Sequence, residues 1–226
     1  FPVIFGFEDQ GTVNVLVMDL LGRSLQDLMQ RMSASYSLKT TLLLALAVIE
    51  RMRCMHDRGA LHRDIKPANF VLGAEDGSRT VYCIDLGLAK VWRDAEGRHL
   101  PAGRHSSLVG TAEYASLNNH EGQELSRRDD LEAVGYMLLH FLKGTLPWMN
   151  LYGEDVKEKN GKIHDKKRKM ALEDLCKGCP DEILTYMKYT RHLQYEEAPN
   201  YDYLMSLFSA LYDRRELDKR IAWYWD

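Results

Sequence analysis

Two short β-rich runs open the chain, and most of the remaining sequence has a helical period. Val3-Ile4-Phe5-Gly6-Phe7 and Val13-Asn14-Val15-Leu16-Val17-Met18 flank Glu8-Asp9-Gln10-Gly11, whose composition suits a turn; the pair predicts an antiparallel hairpin. After Asp19 the period changes. Leu38, Leu42, Ala45, Ile49 and Met52 recur at helical spacing and predict a long helix from Leu38 to about Asp57. Gly59 is placed to end it, because glycine takes the left-handed cap conformation without a Cβ penalty. Two short strands are expected near Phe70-Val71-Leu72 and Val81-Tyr82-Cys83-Ile84, around the turn-rich stretch Gly73 to Ser78. Lys90 to Val109 is polar and reads as a surface loop. Leu131, Val134, Leu138, Leu139 and Leu142 mark a buried helix that stops near Gly144. Two more helices are predicted around Glu182–Arg191 and Tyr203–Tyr212. Neither an internal repeat nor a low-complexity linker interrupts this order, which is α+β with little strand and much helix.

Composition narrows the class. A chain of 226 residues, 45% hydrophobic and 28% charged, can bury a core large enough to fold unaided. The net charge of -3 argues against bulk attraction to nucleic acid or to an anionic membrane. Asp19, Arg23, Glu50 and Arg51 interrupt the richest apolar regions, so no stretch reaches membrane-spanning length. The first residues lack the charged start and long apolar run of a signal peptide, and there is no initiator Met, which leaves open a start inside a longer protein. Four cysteines do not make a disulfide framework at this length. Cys54 and Cys83 lie in apolar runs and are expected in the core. Cys176-Lys177-Gly178-Cys179 has the spacing of half a zinc site with no second pair after it. All four read as reduced thiols of an intracellular protein, cytoplasmic with the nucleus left open. Lys166-Lys167-Arg168-Lys169 could serve nuclear import or anion binding, but a solvated helix face is the favoured reading.

Chemistry concentrates in His62-Arg63-Asp64-Ile65-Lys66-Pro67-Ala68-Asn69, between the long helix and a short strand. The run resembles the catalytic loop of protein kinases, in which the Asp orients the substrate hydroxyl and accepts its proton, and the Asn holds a metal ion. Asp64, Lys66 and Asn69 are thus candidate catalytic residues, with Lys66 close to the transferring phosphoryl group. A polar loop with one Asp capping the next strand is the plainer alternative, but five residue types at matching offsets weigh against it. Ile84-Asp85-Leu86-Gly87, directly after a strand, reads as the magnesium-binding triplet with Leu for the usual Phe; Asp85 joins Asn69 as a candidate metal ligand, and Leu86 is expected to pack as an apolar spine residue.

Further motifs resemble the casein kinase 1 family of Ser/Thr protein kinases along essentially the whole chain. Gly110-Thr111-Ala112-Glu113-Tyr114-Ala115-Ser116-Leu117-Asn118 is similar to that family's activation-segment end. Ser126-Arg127-Arg128-Asp129-Asp130-Leu131-Glu132, Gly135-Tyr136, Leu146-Pro147-Trp148, Leu20-Leu21-Gly22 with Ser24-Leu25, and Cys176-Lys177-Gly178 continue the match. The resemblance implies a two-lobed α+β fold, with residues 1–22 as the end of the small lobe and the hinge and residues 23–226 as the large lobe. It implies Met18 as gatekeeper, Asp19 to Gly22 (Leu21 among them) as the hinge offering backbone groups to adenine, and Val71 and Ile84 as walls of the base pocket. Asp130 would hold the catalytic-loop backbone from the buried helix, although a helix N-terminal acid would also suit the dipole there. ATP and Mg2+ are the implied cofactors, and proteins the implied substrates.

Two departures from the family pattern stand out. Glu113 stands where the family usually has a basic residue, and an acid there should repel an acidic or phosphorylated substrate. Lys159 is a loose match to another basic residue of that anion site; Lys157, Lys159 and Lys162 suit a solvated surface equally well. The chain also has no G-x-G, and its first lysine is Lys39, so a Gly-rich phosphate loop and a strand lysine are not among these residues. A kinase-like, non-catalytic binding module is therefore kept as the alternative to an active kinase, and a small-molecule phosphotransferase as a weaker one.

Overall fold

A computed structural model describes residues 1–31, 35–75 and 78–217. Residues 76 and 77 of the predicted turn lie outside the described residues. Strands β1 (Ile4–Asp9) and β2 (Asn14–Met18) form the opening antiparallel hairpin. Its turn is set by Gly11, at φ 77°, with the Gly11 N–H donating to Asp9 Oδ1 at 2.8 Å. Neither face of the hairpin is covered: Ile4, Phe5, Phe7, Leu16 and Val17 are all more than half exposed.

β3 (Leu21–Ser24) then leaves the hairpin and pairs with β5 (Phe70–Gly73), which pairs with β6 (Val81–Cys83) in a second, three-stranded antiparallel sheet. Between β3 and β5 the chain runs through α1 (Leu25–Arg31), α2 (Leu38–Asp57) and β4 (Ala60–Leu61). The α2 boundaries are those predicted from periodicity. Ser37 starts it by accepting from the Thr40 N–H at 3.1 Å, and Gly59, at φ 84°, turns the chain away after it. The apolar periodicity does not predict α1, although Ser24 and Asp27 form a reciprocal cap that could have announced it: Asp27 N–H donates to Ser24 Oγ at 3.1 Å and Ser24 N–H to Asp27 Oδ2 at 3.2 Å.

The segment expected as one loop, Lys90 to Val109, is partly ordered by pairing. β7 (Lys90–Val91) pairs with β4, and Trp92 turns inward, donating from Nε1 to the His56 carbonyl at 2.9 Å. A lone tryptophan in a polar run carries no periodic signal, which is why the sequence did not show it. Next come α3 (Leu117–His120), α4 (Arg127–Lys143), α5 (Val156–Lys169), α6 (Leu172–Cys176), α7 (Asp181–His192) and α8 (Tyr201–Arg214). In the sequence α5 shows only as charged surface, because Ile163 is its sole buried apolar residue. No helix among the described residues is long and apolar enough to cross a membrane. The four cysteines are free thiols; Cys83 is buried and Cys54 only partly so.

α4 is the axis of the core. Leu131, Val134, Met137, Leu138, Leu139 and Phe141 are fully buried, and each such side chain contributes roughly 1.5–3 kcal/mol by leaving water. α2 and α7 pack on it, and Gly144 closes it in the left-handed conformation at φ 73°. The close approach of α7 depends on Gly135: a Cβ there would overlap Met187 Sδ and meet Tyr186 Cε1 at 3.1 Å. Gly135→Ala should therefore destabilise the protein, since overpacking of about 1–3 kcal/mol exceeds the roughly 1 kcal/mol that alanine gains as a helix former. Urea unfolding checks this. A lower midpoint at unchanged slope is expected, and an unchanged midpoint would mean that Met187 swings aside without cost.

Candidate active site

The segment from His62 to Asn69 is held from beneath by one carboxylate. Asp130, fully buried near the start of α4, accepts from the His62 N–H at 2.7 Å and the Arg63 N–H at 2.8 Å. His56 of α2 lies 3.0 Å from the same carboxylate through Nε2, and its Nδ1 is 2.7 Å from the Tyr201 hydroxyl of α8. Burial would raise the Asp130 carboxyl, but hydrogen bonding and charge from His56, with help from His62, hold it below the usual carboxylate range. The expected hold of Asp130 on the loop backbone is thus present in its two amide bonds.

The bend of the loop puts strain at Arg63, whose φ of 67° is unusual for a residue with a Cβ. Two bonds keep it there: its own N–H to Asp130, and Nε donating to the Leu88 carbonyl at 2.7 Å. Gly110, at φ 77°, lies against this bend; a Cβ on it would clash with the Arg63 carbonyl and come within 3.0 Å of Asp64 Oδ1. His62 is fully buried, with Nε2 3.1 Å from the Ile84 carbonyl, so it ties the loop to the residue before Asp85.

Asp64 is the point on which the polar groups converge. Lys66 Nζ donates to Oδ2 at 2.7 Å, Thr111 Oγ1 to Oδ1 at 2.7 Å, and Asn69 Nδ2 to Oδ2 at 3.2 Å and to the backbone carbonyl at 2.9 Å. Burial raises its pKa, but the bonds from Lys66 and Thr111, the Lys66 charge and the Asn69 bond more than offset this and keep it ionised. Asp85 sits at φ 61° and is exposed; among the described residues its carboxylate makes one weak contact, from the Gly87 N–H at 3.4 Å. Leu86 does not pack as expected. It is 49% exposed, because no described apolar element covers that side of the triplet.

Met18, Asp19, Leu21, Val71 and Ile84 come together, with Leu16, Gly22 and Ala68, around one open cleft of about 680 Å3. Asp19 has a tie that the sequence did not suggest: its N–H donates to the Val3 carbonyl at 3.1 Å and its carboxylate accepts from the Val3 N–H at 2.8 Å. That amide is therefore already engaged.

Residues 111–115 lie on the other side of Asp64. Glu113, expected to act as a bare negative charge, is instead paired with Lys159 of α5, Nζ to Oε1 at 2.7 Å. Burial raises its pKa, but the Lys159 bond leads the effects that bring it below the usual value. Lys159 is thus part of a specific contact and not a free solvated charge. Lys166, Arg168 and Lys169 are exposed, as the reading of the basic run as a solvated face expects, but Lys167 departs from it: it is fully buried, and its side-chain nitrogen donates to the carbonyls of Ala112 and Ala115. Thr111 and Lys167 are residues to which sequence reasoning assigned no part in this site; Thr111 stood in plain view within the quoted motif, whereas Lys167 was hidden among like charges.

A buried aspartate-anchored loop, a converging Asp-Lys-Asn cluster and an Asp-x-Gly turn thus lie together beside an open cleft. Residues 4–203 match the protein kinase domain. The chain is 47% identical over 214 residues to casein kinase I homolog 3 of Schizosaccharomyces pombe, a span covering 93% of this chain and 48% of that protein. The chain belongs to the protein kinase family, in its casein kinase 1 branch. It spans about half the length of the curated relative it matches.

The Asp130 geometry carries a pH dependence. Because its folded pKa is depressed, its stabilisation is fully present above the unfolded carboxylate pKa of about 4 and is lost as pH falls through the folded value. Wild type should therefore exceed Asp130→Asn in unfolding free energy at neutral pH, by a margin that narrows on acidification below about pH 4. Denaturant unfolding of both proteins across that range measures it; a margin independent of pH would show that the carboxylate charge does not hold the loop.

Proposed function

We propose that this chain is the large lobe, with the hinge and the last small-lobe strands (residues 1–22), of a protein kinase that phosphorylates Ser or Thr of protein substrates in the cytoplasm or nucleus. The observation that carries the reading is the convergence of Lys66, Asn69 and Thr111 on the carboxylate of Asp64. Asp64 would orient the acceptor hydroxyl and take its proton. Lys66, on the same carboxylate, would stand beside the transferring group. Asn69 and Asp85 would hold Mg2+. The fit is supported by Asp85, exposed and, among the described residues, with one weak contact, and by the Asn69 amide, whose nitrogen is committed to Asp64 and leaves its oxygen as the acceptor. Two protein oxygens suffice, since Mg2+ is ordinarily completed by phosphates and water. Met18, Asp19, Leu21, Val71 and Ile84 would enclose the adenine base, with Asp19 contributing its carbonyl because its N–H is bonded to Val3. When bound, ATP with Mg2+ supplies the phosphoryl group and neutralises its charge.

Two variants of the full-length protein test this reading together. Asp64→Asn should lower kcat by roughly a hundredfold or more while leaving nucleotide affinity near wild type, because the loss falls on the transition state. Asp85→Ala should weaken nucleotide binding with Mg2+ present much more than without it. Near-normal turnover in the first variant would remove Asp64 from its role; equal weakening under both conditions would remove Asp85 as a ligand.

The Glu113–Lys159 pair suggests how the acceptor's neighbours are chosen. With Glu113 on it, Lys159 is neutralised toward an anionic substrate side chain. Glu113→Arg should free that cation, add another, and raise turnover of peptides bearing an acidic or phosphorylated residue upstream of the acceptor relative to matched neutral peptides. An unchanged ratio between the two peptides would show that the pair does not face the substrate.

A further inference from the structure

Lys167 is a buried amine with no part in the phosphoryl transfer proposed for Asp64, Lys66, Asn69 and Asp85. It lies near the end of α5, fully out of water, with Nζ 2.9 Å from the Ala112 carbonyl and 2.6 Å from the Ala115 carbonyl. The same nitrogen stands 4.5 Å from the ring centroid of Tyr136 and 5.0 Å from that of Trp148. Burial pushes its pKa well below the usual lysine range; the Glu132 and Glu113 charges oppose the shift and Arg191 adds to it. Taking a lysine head group out of water is costly, and two carbonyl acceptors and two aromatic faces meet part of that cost.

Its partners are not scattered. Ala112 and Ala115 bracket Glu113 and Tyr114, and other side chains hold the same few residues. Trp148 Nε1 donates to the Glu113 carbonyl at 2.7 Å, and His120 Nε2 lies 3.1 Å from the Ala112 carbonyl. The Tyr114 hydroxyl is 2.8 Å from His140 Nδ1 of α4. Immediately before them, Thr111 is bonded to Asp64. Residues 111–115 are thus a backbone shelf that begins one hydrogen bond from the proposed catalytic carboxylate and is pinned by side chains of α3, α4, α5 and the turn at Trp148. Of these, Lys167 alone grips the shelf at two points.

We propose that Lys167 is a positioning residue for the acceptor polypeptide: by holding the Ala112 and Ala115 carbonyls together it fixes the shelf against which the residues flanking the acceptor Ser or Thr lie. The inference rests on the kinase reading. Its physical basis is that a displacement of about 1 Å in a positioning element can cost on the order of a hundredfold in rate. A protein acceptor depends on the Ala112–Ala115 part of the shelf that Lys167 grips, whereas nucleotide binding across the cleft and transfer to water depend on Asp64, which Lys66 and Asn69 hold without it.

The experiment separates those dependences in the full-length protein. Lys167→Met keeps the length and apolar stem but removes the donors; Lys167→Gln keeps an N–H2 group on a shorter stem. For Lys167→Met, KM for a peptide acceptor should rise roughly tenfold or more, while KM for ATP and the rate of ATP hydrolysis without peptide stay within about twofold of wild type. Lys167→Gln should fall between the two. A folded Lys167→Met with unchanged peptide KM overturns the proposal. So does a variant in which peptide KM, ATP KM and hydrolysis all worsen together, since that is the signature of general damage. If Lys167→Met does not fold, the same split between peptide and nucleotide parameters in Lys167→Gln decides, with an unchanged peptide KM again overturning the proposal. Wild type that turns over neither peptide nor ATP would instead sink the kinase reading itself.

Discussion

The site depends on a carboxylate that takes no part in the chemistry. Asp130 is buried at the start of α4, where an ionised group is tolerated only if its oxygens are satisfied, and it is satisfied by the two backbone amides that open the catalytic loop and by His56. The requirement runs in both directions. The loop needs Asp130 to keep Arg63 in its left-handed conformation, and Asp130 needs the loop's amides to remain charged away from water. Through His56 and Tyr201 the same charge reaches α2 and α8, so three helices share in setting the position of Asp64.

Around this fixed point the polar groups are arranged by what each has left to offer. Asp64 accepts from three side chains and stays ionised, as its proposed role as proton acceptor requires. Asn69 commits its nitrogen to Asp64. Asp85, tied to the loop through the neighbouring Ile84, whose carbonyl meets His62 and whose N–H donates to the Asn69 carbonyl, keeps its carboxylate almost uncommitted at the surface. The contrast between a saturated aspartate and an open one is what allows two like residues to be proposed for different tasks.

The two sides of the site differ in how firmly they are held. The shelf at residues 111–115 is gripped by Lys167, Trp148 and His120 and is continuous with the core. The cleft that would take the nucleotide is open, and the hairpin that walls it shows its apolar residues to water. Exposed clusters of that kind usually mark a surface that meets another. The described residues therefore pair a closely hydrogen-bonded side, proposed to meet the acceptor, with an uncovered side proposed to take the nucleotide.

Much of this was legible in the sequence because the signals were periodic or spaced. The α2 and α4 helices followed from apolar residues every third or fourth position, and the catalytic loop from five residue types at fixed offsets. Chemistry read residue by residue nominated Asp64, Lys66, Asn69 and Asp85 for the roles proposed above, since residues of these types at such spacings resemble a kinase catalytic loop and metal triplet. The sequence could not say which charges would meet. Lys167 looked like its neighbours Lys166, Arg168 and Lys169, and only the packing of α5 against Tyr136 and Trp148 selected it for burial. Glu113 and Lys159 are far apart in sequence, and their 2.7 Å contact exists because α5 folds back over the shelf. Local residues determined the elements and the catalytic vocabulary; tertiary structure decided which ions are paired, buried or free, because those states depend on the dielectric and on neighbours that only folding supplies.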